Sequence, residues 1–331
     1  MSAFAGVVAF RPDPSLIIPL TQSLLGQTAR VFVFVNGVVD SAVRCDLREA
    51  GAELIESEYN LGIAEALNIL ALASMLAGAS RLLLMDQDSR PPEDLVARLE
   101  GAMSALQEAG ETPAVVGPRI VSPTGEEQVY KPPRYFPVHK RAKHGACTRV
   151  RYVITSGSLI DLAIYRRIGP FRSDFFMDAV DTEWCFRAAA AGHSCWVENK
   201  LEMPHTIGGG MLRVLGLGAI PLQKPFRMYA YLRNQAHCLT LMHVPTSWKA
   251  RIAAHLVRTC VIMGACGQEE YRLSRIAIPA LRDGFAGRLG PPPGAEAAPT
   301  MPAPIVPFVR TPWRWRTDRG SDEYPAPDAT T

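Results

Sequence analysis

The chain has 331 residues, 48% of them hydrophobic and 20% charged, which is enough for one large or two ordinary domains and too apolar for a disordered chain. A formal net charge of only +3 does not favour a nucleic-acid binder. The seven cysteines are odd in number and form no C-x-x-C pair, which argues against a zinc site or disulfide framework and for a reducing compartment.

The opening residues, MSAFAGVVAFRPD, have neither a basic region nor a long apolar run, so they do not read as a signal peptide, and a cytosolic location is expected. Residues 4–10 (FAGVVAF) read as a first strand, left through Arg11-Pro12-Asp13-Pro14, with a short helix to about Gln27. VFVFV at 31–35 is a second strand, closed by the turn signal Asn36-Gly37. Residues 41–50 read as a helix, 53–56 as a short strand, and Asn60-Leu61-Gly62 opens a long Ala/Leu helix to about Ala77. Its apolar run, 69–79, is too short to span a bilayer. A strand at 81–85, a helix near 93–107 and a strand at 114–117 continue the alternation, which predicts an α/β fold with a mostly parallel sheet.

Regular structure thins out over 118–149, and from 131 to 151 Lys131, Arg134, Lys140, Arg141, Lys143, Arg149 and Arg151 accompany His139 and His144 without acids. Either a solvated loop or a rim for a phosphate-bearing partner fits that composition. Residues 152–161 (YVITSGSLID) read as a strand interrupted at Ser156-Gly157-Ser158, where glycine suggests close backbone approach. Helices are expected at 163–168 and 177–191, short strands at 194–197 and 201–204, and helices again at 226–243, 247–266 and 269–286. The domain reading is 1–225 catalytic, 226–290 a helical, basic extension, and 291–331 a Pro/Ala-rich tail expected to be disordered. Seven Lys/Arg stand against three Asp/Glu in 246–290, which fits a basic outer face of a packed extension or a peripheral contact with an anionic membrane.

Two constellations carry chemistry. In RLLLMDQDSR an apolar strand runs into Asp86-Gln87-Asp88, placing two carboxylates at the carboxyl end of a buried strand, where open α/β sheets bind ligands. Carboxylates at that spacing suit Mg²⁺ or Mn²⁺ bridging to phosphate; Asp88 or Ser89 capping the next helix is the plainer reading. In MDAVDTEWCFR a helical reading puts Asp178 and Asp181 on one face, with Glu183 turned elsewhere. Acids in a first helical turn also suit the helix dipole, and Asp178 alone needs no more than that. Asp181 followed by Glu183, after a glycine-bearing strand, reads as a catalytic edge whose carboxylate takes a proton from an attacking hydroxyl. His205, beside Gly208-Gly209-Gly210, is either structural or a third position on such an ion.

In this order VVAFRPD, Asn60-Leu61-Gly62-Ile63-Ala64 with Asn68, LLLMDQDS, TSGSLIDL, IGPFRSDFFMDAVDTEWCFRA, MPHTIG, YLRN and DGFAGRLG resemble family 2 glycosyltransferases, in the rhamnosyltransferase-like branch. The resemblance implies a GT-A (nucleotide-diphospho-sugar transferase) fold, Rossmann-like, with a C-terminal helical extension. It also implies inverting transfer from a nucleotide-diphosphate sugar, best read as dTDP-L-rhamnose, to a hydroxyl of a bacterial cell-surface glycan or lipid-linked glycan, with a divalent metal, Mg²⁺ or Mn²⁺.

Residue by residue, the resemblance makes Asp86, Asp88 and His205 the metal set, with Asp86 nearer the ribose, and Asp181 the base. Donor binding falls to Ala9, Phe10 and Asp13 in the first-strand loop, to Asn60, Gly62 and Asn68, to Asp86 with Gln87, and to Arg233 at phosphate. Ser156, Gly157, Glu183 and Trp184 belong to the acceptor side. One departure stands out: relatives end the second strand with an Asp-Asn pair, the Asp reading a pyrimidine, whereas here Val35 precedes Asn36, leaving Asn36 as the polar residue at that edge. A galactofuranosyl- or other hexosyltransferase shares every motif, and a catalytically weak glycan-assembly subunit is the rival that Val35 keeps open. A dinucleotide-binding enzyme is disfavoured, because no G-x-G-x-x-G follows the first strand.

Overall fold

The structure, a computed structural model, describes residues 3–122, 135–138, 143–204, 211–214, 218–221, 223–266 and 269–297. The N-terminal half alternates as expected: β1 (Phe4–Ala9), α1 (Pro14–Leu25), β2 (Val31–Asn36), α2 (Ser41–Glu49), β3 (Glu53–Ser57), α3 (Gly62–Leu76), β4 (Arg81–Asp86), α4 (Leu95–Glu108) and β5 (Pro113–Val121). Side-chain alternation sets the faces. In β2, Phe32 and Phe34 enter one core while Val31, Val33 and Val35 enter the other. Helices start where the residues say they should: Asp13 accepts the Ser15 N–H ahead of α1, and Asp40 accepts the Ala42 N–H ahead of α2.

The second half departs further from expectation. β6 (Lys143–His144) and β7 (Cys147–Val150) occupy part of the basic stretch. Only Ser158–Asp161 of the 152–161 segment is a strand, β8, followed by α5 (Leu162–Ile168), a 3₁₀ turn (Ser173–Phe175) and α6 (Val180–Ala190). The two short strands expected at 194–204 are one, β9 (Ser194–Pro204), which bulges against β5 between Pro118 and Arg119. β10 (Met211–Val214) and β11 (Gly218–Pro221) form a separate antiparallel hairpin, followed by α7 (Pro225–Cys238), α8 (Thr246–Cys266) and α9 (Ala277–Phe285), the last of these shorter than expected.

Strands order as β3-β2-β1-β4-β8-β5-β9-β7-β6. β3, β2, β1 and β4 are parallel, as are β5 and β9, while β8 is inserted antiparallel between β4 and β5. One face is covered by α1, α2 and α4 around Ile17, Leu20, Leu47, Leu99 and Met103. The opposite face packs α3, α5 and α6, and its core continues without a break into Met228, Leu232, Trp248, Ile252 and Ala280 of α7–α9. Among the described residues no helix is long and apolar enough to cross a membrane.

Candidate active site

β4 delivers Asp86 to the carboxyl edge opposite Val8 of β1. Gln87 then acts as an extra ladder rung: its side-chain oxygen accepts the Phe10 N–H at 2.8 Å and its amide donates to the Phe10 carbonyl at 3.0 Å. Gln87 is thereby fastened to the first-strand loop between Asp86, which is half-buried, and Asp88, which is exposed. On the other side the Ser89 N–H donates to the Asp86 carbonyl at 3.2 Å, and the Ser89 hydroxyl lies 2.6 Å from that of Ser156. The Gly157 N–H completes the clamp by donating to the Leu84 carbonyl at 2.9 Å. Ser156 is therefore a buried tie that holds the acidic turn, rather than a surface beneath the acceptor.

The second cluster sits at the start of α6. Phe176, Asp178 and Ala179 all have left-handed backbone, so the helix begins at Val180 and not at 177. Asp178 therefore precedes the helix, and the shared face expected for Asp178 and Asp181 does not exist. Asp181, in the first turn, accepts the Thr182 N–H at 2.7 Å, the Thr182 hydroxyl at 3.2 Å and the Thr155 N–H at 3.2 Å. Burial pushes its carboxyl above the usual carboxylate range; the three hydrogen bonds oppose this, and the Asp178 charge adds to it. A carboxylate held in place and made more basic is what proton abstraction asks for. Tyr152 nearby is pushed up to about 12, by burial first and by Asp181 second.

The remaining expected donor residues are used to build walls. Asn36 is buried: its carbonyl accepts the Leu61 N–H at 2.7 Å, and its amide donates to Asn60 at 3.0 Å and to the Gly62 carbonyl at 3.4 Å. Asn60 in turn accepts the Gly62 N–H at 2.9 Å. Asn36 is thus committed inward and Val35 is buried in the core, so neither presents a group to a base. Ala9 is buried, and Asp13 caps α1, where two hydrogen bonds from Ser15 hold its carboxyl below the usual range.

Four more expected residues lie inside the protein. Asn68 is fully buried, accepting from the Tyr165 hydroxyl at 2.7 Å and the Phe171 N–H at 2.8 Å, and donating to the Phe171 carbonyl at 2.9 Å. Arg233 is buried, donating to Asn234 at 3.0 Å and to the Phe175 carbonyl at 3.2 Å. Glu183 is enclosed between Arg187, at 3.0 Å, and His243, at 2.9 Å. Burial alone would raise its pKa, yet Arg187 and the hydrogen bond from His243 bring it to about 2. Trp184 donates to the Gly169 carbonyl at 3.1 Å and packs on Tyr165 and Phe171. His205 lies outside the described residues.

What the sequence reading missed is Arg227. Its guanidinium meets Asp178 at 3.3 Å and also interacts with the charges of Asp86 and Asp88. No spacing signals this, because 49 residues separate the ion pair. Among the described residues no group of three or more His, Cys, Asp or Glu is arranged as a metal cage. Two carboxylates on a fixed turn nevertheless fit Mg²⁺ or Mn²⁺, which are often held by one or two carboxylates plus substrate phosphate.

No family model matches the chain. Its fold overlays on the crystal structure of GalNAc-T7 with UDP, GalNAc and Mn²⁺ at a TM-score of 0.52 and 11% identity, over 77% of this chain and 54% of that one. The chain thus spans about half the length of that structure. Staphylococcus aureus TarS overlays at a TM-score of 0.48 and 13% identity, over 86% of this chain and 53% of that one, too loosely to argue from. The fold is GT-A, and the chain is a glycosyltransferase. Its likeness in sequence is to dTDP-rhamnosyl transferase RfbF of Shigella flexneri, 26% identical over 304 residues, 87% of this chain and 96% of that protein. It is similar, that is, to the rhamnosyltransferase-like branch of family 2.

Proposed function

We propose that the chain transfers L-rhamnose from dTDP-L-rhamnose to a hydroxyl of a bacterial cell-surface or lipid-linked glycan, with inversion. The observation that carries this reading is Asp181, a half-buried, hydrogen-bonded carboxylate of raised pKa tied to the connection that precedes β8. Near-full-length likeness to RfbF supports the choice of sugar and nucleotide. Asp181 takes the acceptor's proton as its oxygen attacks the anomeric carbon, and the nucleoside diphosphate departs from the opposite face. One displacement needs one base and no enzymic nucleophile. Asp86 and Asp88 would hold a Mg²⁺ or Mn²⁺ ion, which supplies charge neutralisation for the departing diphosphate when bound.

The buried Val35 favours a second reading, in which another nucleotide sugar, galactofuranosyl or hexosyl, is the donor. Hydrolysis of a nucleotide-sugar panel with Mn²⁺ or Mg²⁺ and after chelation, by wild type and Asp88→Ala, separates the two. Release from dTDP-rhamnose that the variant and the chelator both abolish supports the first. Release from a different donor transfers support to the second, and silence toward every donor leaves a glycan-assembly role in front. We further propose a cytoplasmic protein whose helical extension touches the membrane peripherally, through the exposed Val257 and Val261 of α8 beside Arg251 and Arg258.

A further inference from the structure

Left-handed backbone at a residue other than glycine costs on the order of 1–3 kcal/mol and persists where the surroundings over-determine it. Three such residues fall within four positions: Phe176 at φ +63°, Asp178 at +59° and Ala179 at +62°. The buried amide of Asn234 gathers them, donating to the carbonyls of Phe175 at 3.0 Å, Met177 at 2.7 Å and Asp178 at 3.0 Å. What this strain secures is the place of Asp178. Its side chain, 11% exposed, faces Arg227 in the first turn of α7, 49% exposed.

The pair is open on one side. Nη2 lies 3.3 Å from one Asp178 oxygen and Nε lies 3.4 Å from each of them. These are long beside the roughly 2.7–2.9 Å of a tight charged hydrogen bond. Among the described residues the hydrogen bonds of Arg227 run through Nε and Nη2, while a guanidinium offers five N–H donors in a fixed fork. Beyond its ion pair with Asp178, the same side chain also feels the charges of Asp86 and Asp88 in the acidic turn after β4. A diphosphate entering a site already lined by these carboxylates needs a positive charge that is in place beforehand.

We propose that Arg227 is the side chain that binds the diphosphate of the donor, with Asp178 as the residue that positions it. This rests on the glycosyltransferase reading of the site and assigns a role that sequence likeness would have given to Arg233, six residues later on the same helix. Arg233 is spent inside, on the Phe175 carbonyl and Asn234. Arginine suits the task because it is always charged and its fork matches phosphate oxygens.

The test uses inorganic pyrophosphate, which carries neither base nor sugar. It is titrated calorimetrically, with Mg²⁺ present, into wild type, Arg227→Ala and Arg227→Lys, with a melting curve for each. Arg227→Ala is expected to weaken binding about ten-fold or more and Arg227→Lys by less, as loss of a charge-assisted contact predicts. Wild-type affinity in Arg227→Ala with only a lower melting temperature overturns the proposal, and so does absence of pyrophosphate binding by wild type. If Arg227→Ala does not fold, Arg227→Gln carries the same comparison. Failure of the wild type to use dTDP-rhamnose, by contrast, touches the donor assignment alone.

Discussion

The carbonyl oxygen of Phe176 stands 2.5 Å from where a Cβ on Gly62 would lie, and it accepts the Ile63 N–H at 2.8 Å. The start of α3 is thereby capped by the strained segment that positions Asp178. Gly62 is also at φ +80°, where a side chain is strained regardless of space. Gly62→Ala is expected to destabilise the protein by about 2–4 kcal/mol, through overpacking against backbone plus strain. A fall of several degrees in melting temperature, with weaker transfer from the displaced Asp178, checks it; an unchanged melting curve counts against so close an approach of Phe176 to Gly62.

Asp181→Asn should lower kcat by a factor on the order of 10²–10⁴, the usual worth of a positioned base. Since the base acts ionised, the acidic limb of kcat/KM should lie above the ordinary aspartate range, because burial raises the Asp181 pKa. The stability sign follows from the same shift. A carboxyl whose folded pKa is raised stabilises most below its unfolded pKa, and that contribution is lost as pH rises through the folded value. The neutral asparagine is therefore expected to leave the melting temperature at pH 7 unchanged or higher. A large loss of stability together with retained turnover would remove Asp181 from the base role.

Glu183 shifts the other way. Held at about 2 by Arg187 and His243 against the effect of burial, it contributes stability that is present above its unfolded pKa and lost as pH falls toward 2. Glu183→Gln leaves Arg187 buried without its countercharge and should cost about 3–5 kcal/mol. Urea unfolding of both proteins from pH 7 to pH 3 measures this, with the gap between them narrowing as the solution is acidified.

The α8 surface offers a prediction about location. Val257 is 64% exposed and Val261 is 47% exposed, one helical turn apart, with Arg251 and Arg258 on the same helix. Co-sedimentation with vesicles containing anionic lipid should retain the wild type at low salt and release it at high salt, and Val257→Asp with Val261→Asp should weaken retention. Equal binding to neutral and anionic vesicles would dismiss the electrostatic part.

Much of the fold was legible in local pattern. Alternating apolar strands and Ala/Leu helices declared β1 through β5 within a few residues of their ends, because each carries its own period and its own caps, such as Asp13 and Asp40. The acidic turn was legible for a related reason: a buried strand that ends in carboxylates announces a sheet edge. Segment 152–161 misled, because residues before Ser158 serve as a connection whose Thr155 N–H goes to Asp181. Asn68, Arg233 and Trp184 are expected in the site from the resemblance alone, yet each finds its partners inside.

By itself the sequence determined the α/β class, the strand that ends at Asp86, and the acidic segment that carries Asp178, Asp181 and Glu183. Those properties are encoded by residues near one another in the chain, where periodicity, caps and turn chemistry act. The tertiary structure alone decided that Asp178 precedes α6, that Asn36 faces inward and that Arg227 pairs with Asp178. Each depends on partners distant in the chain: Asn36 on the start of α3, and Asp178 and Arg227 on α7 packing under the 3₁₀ turn.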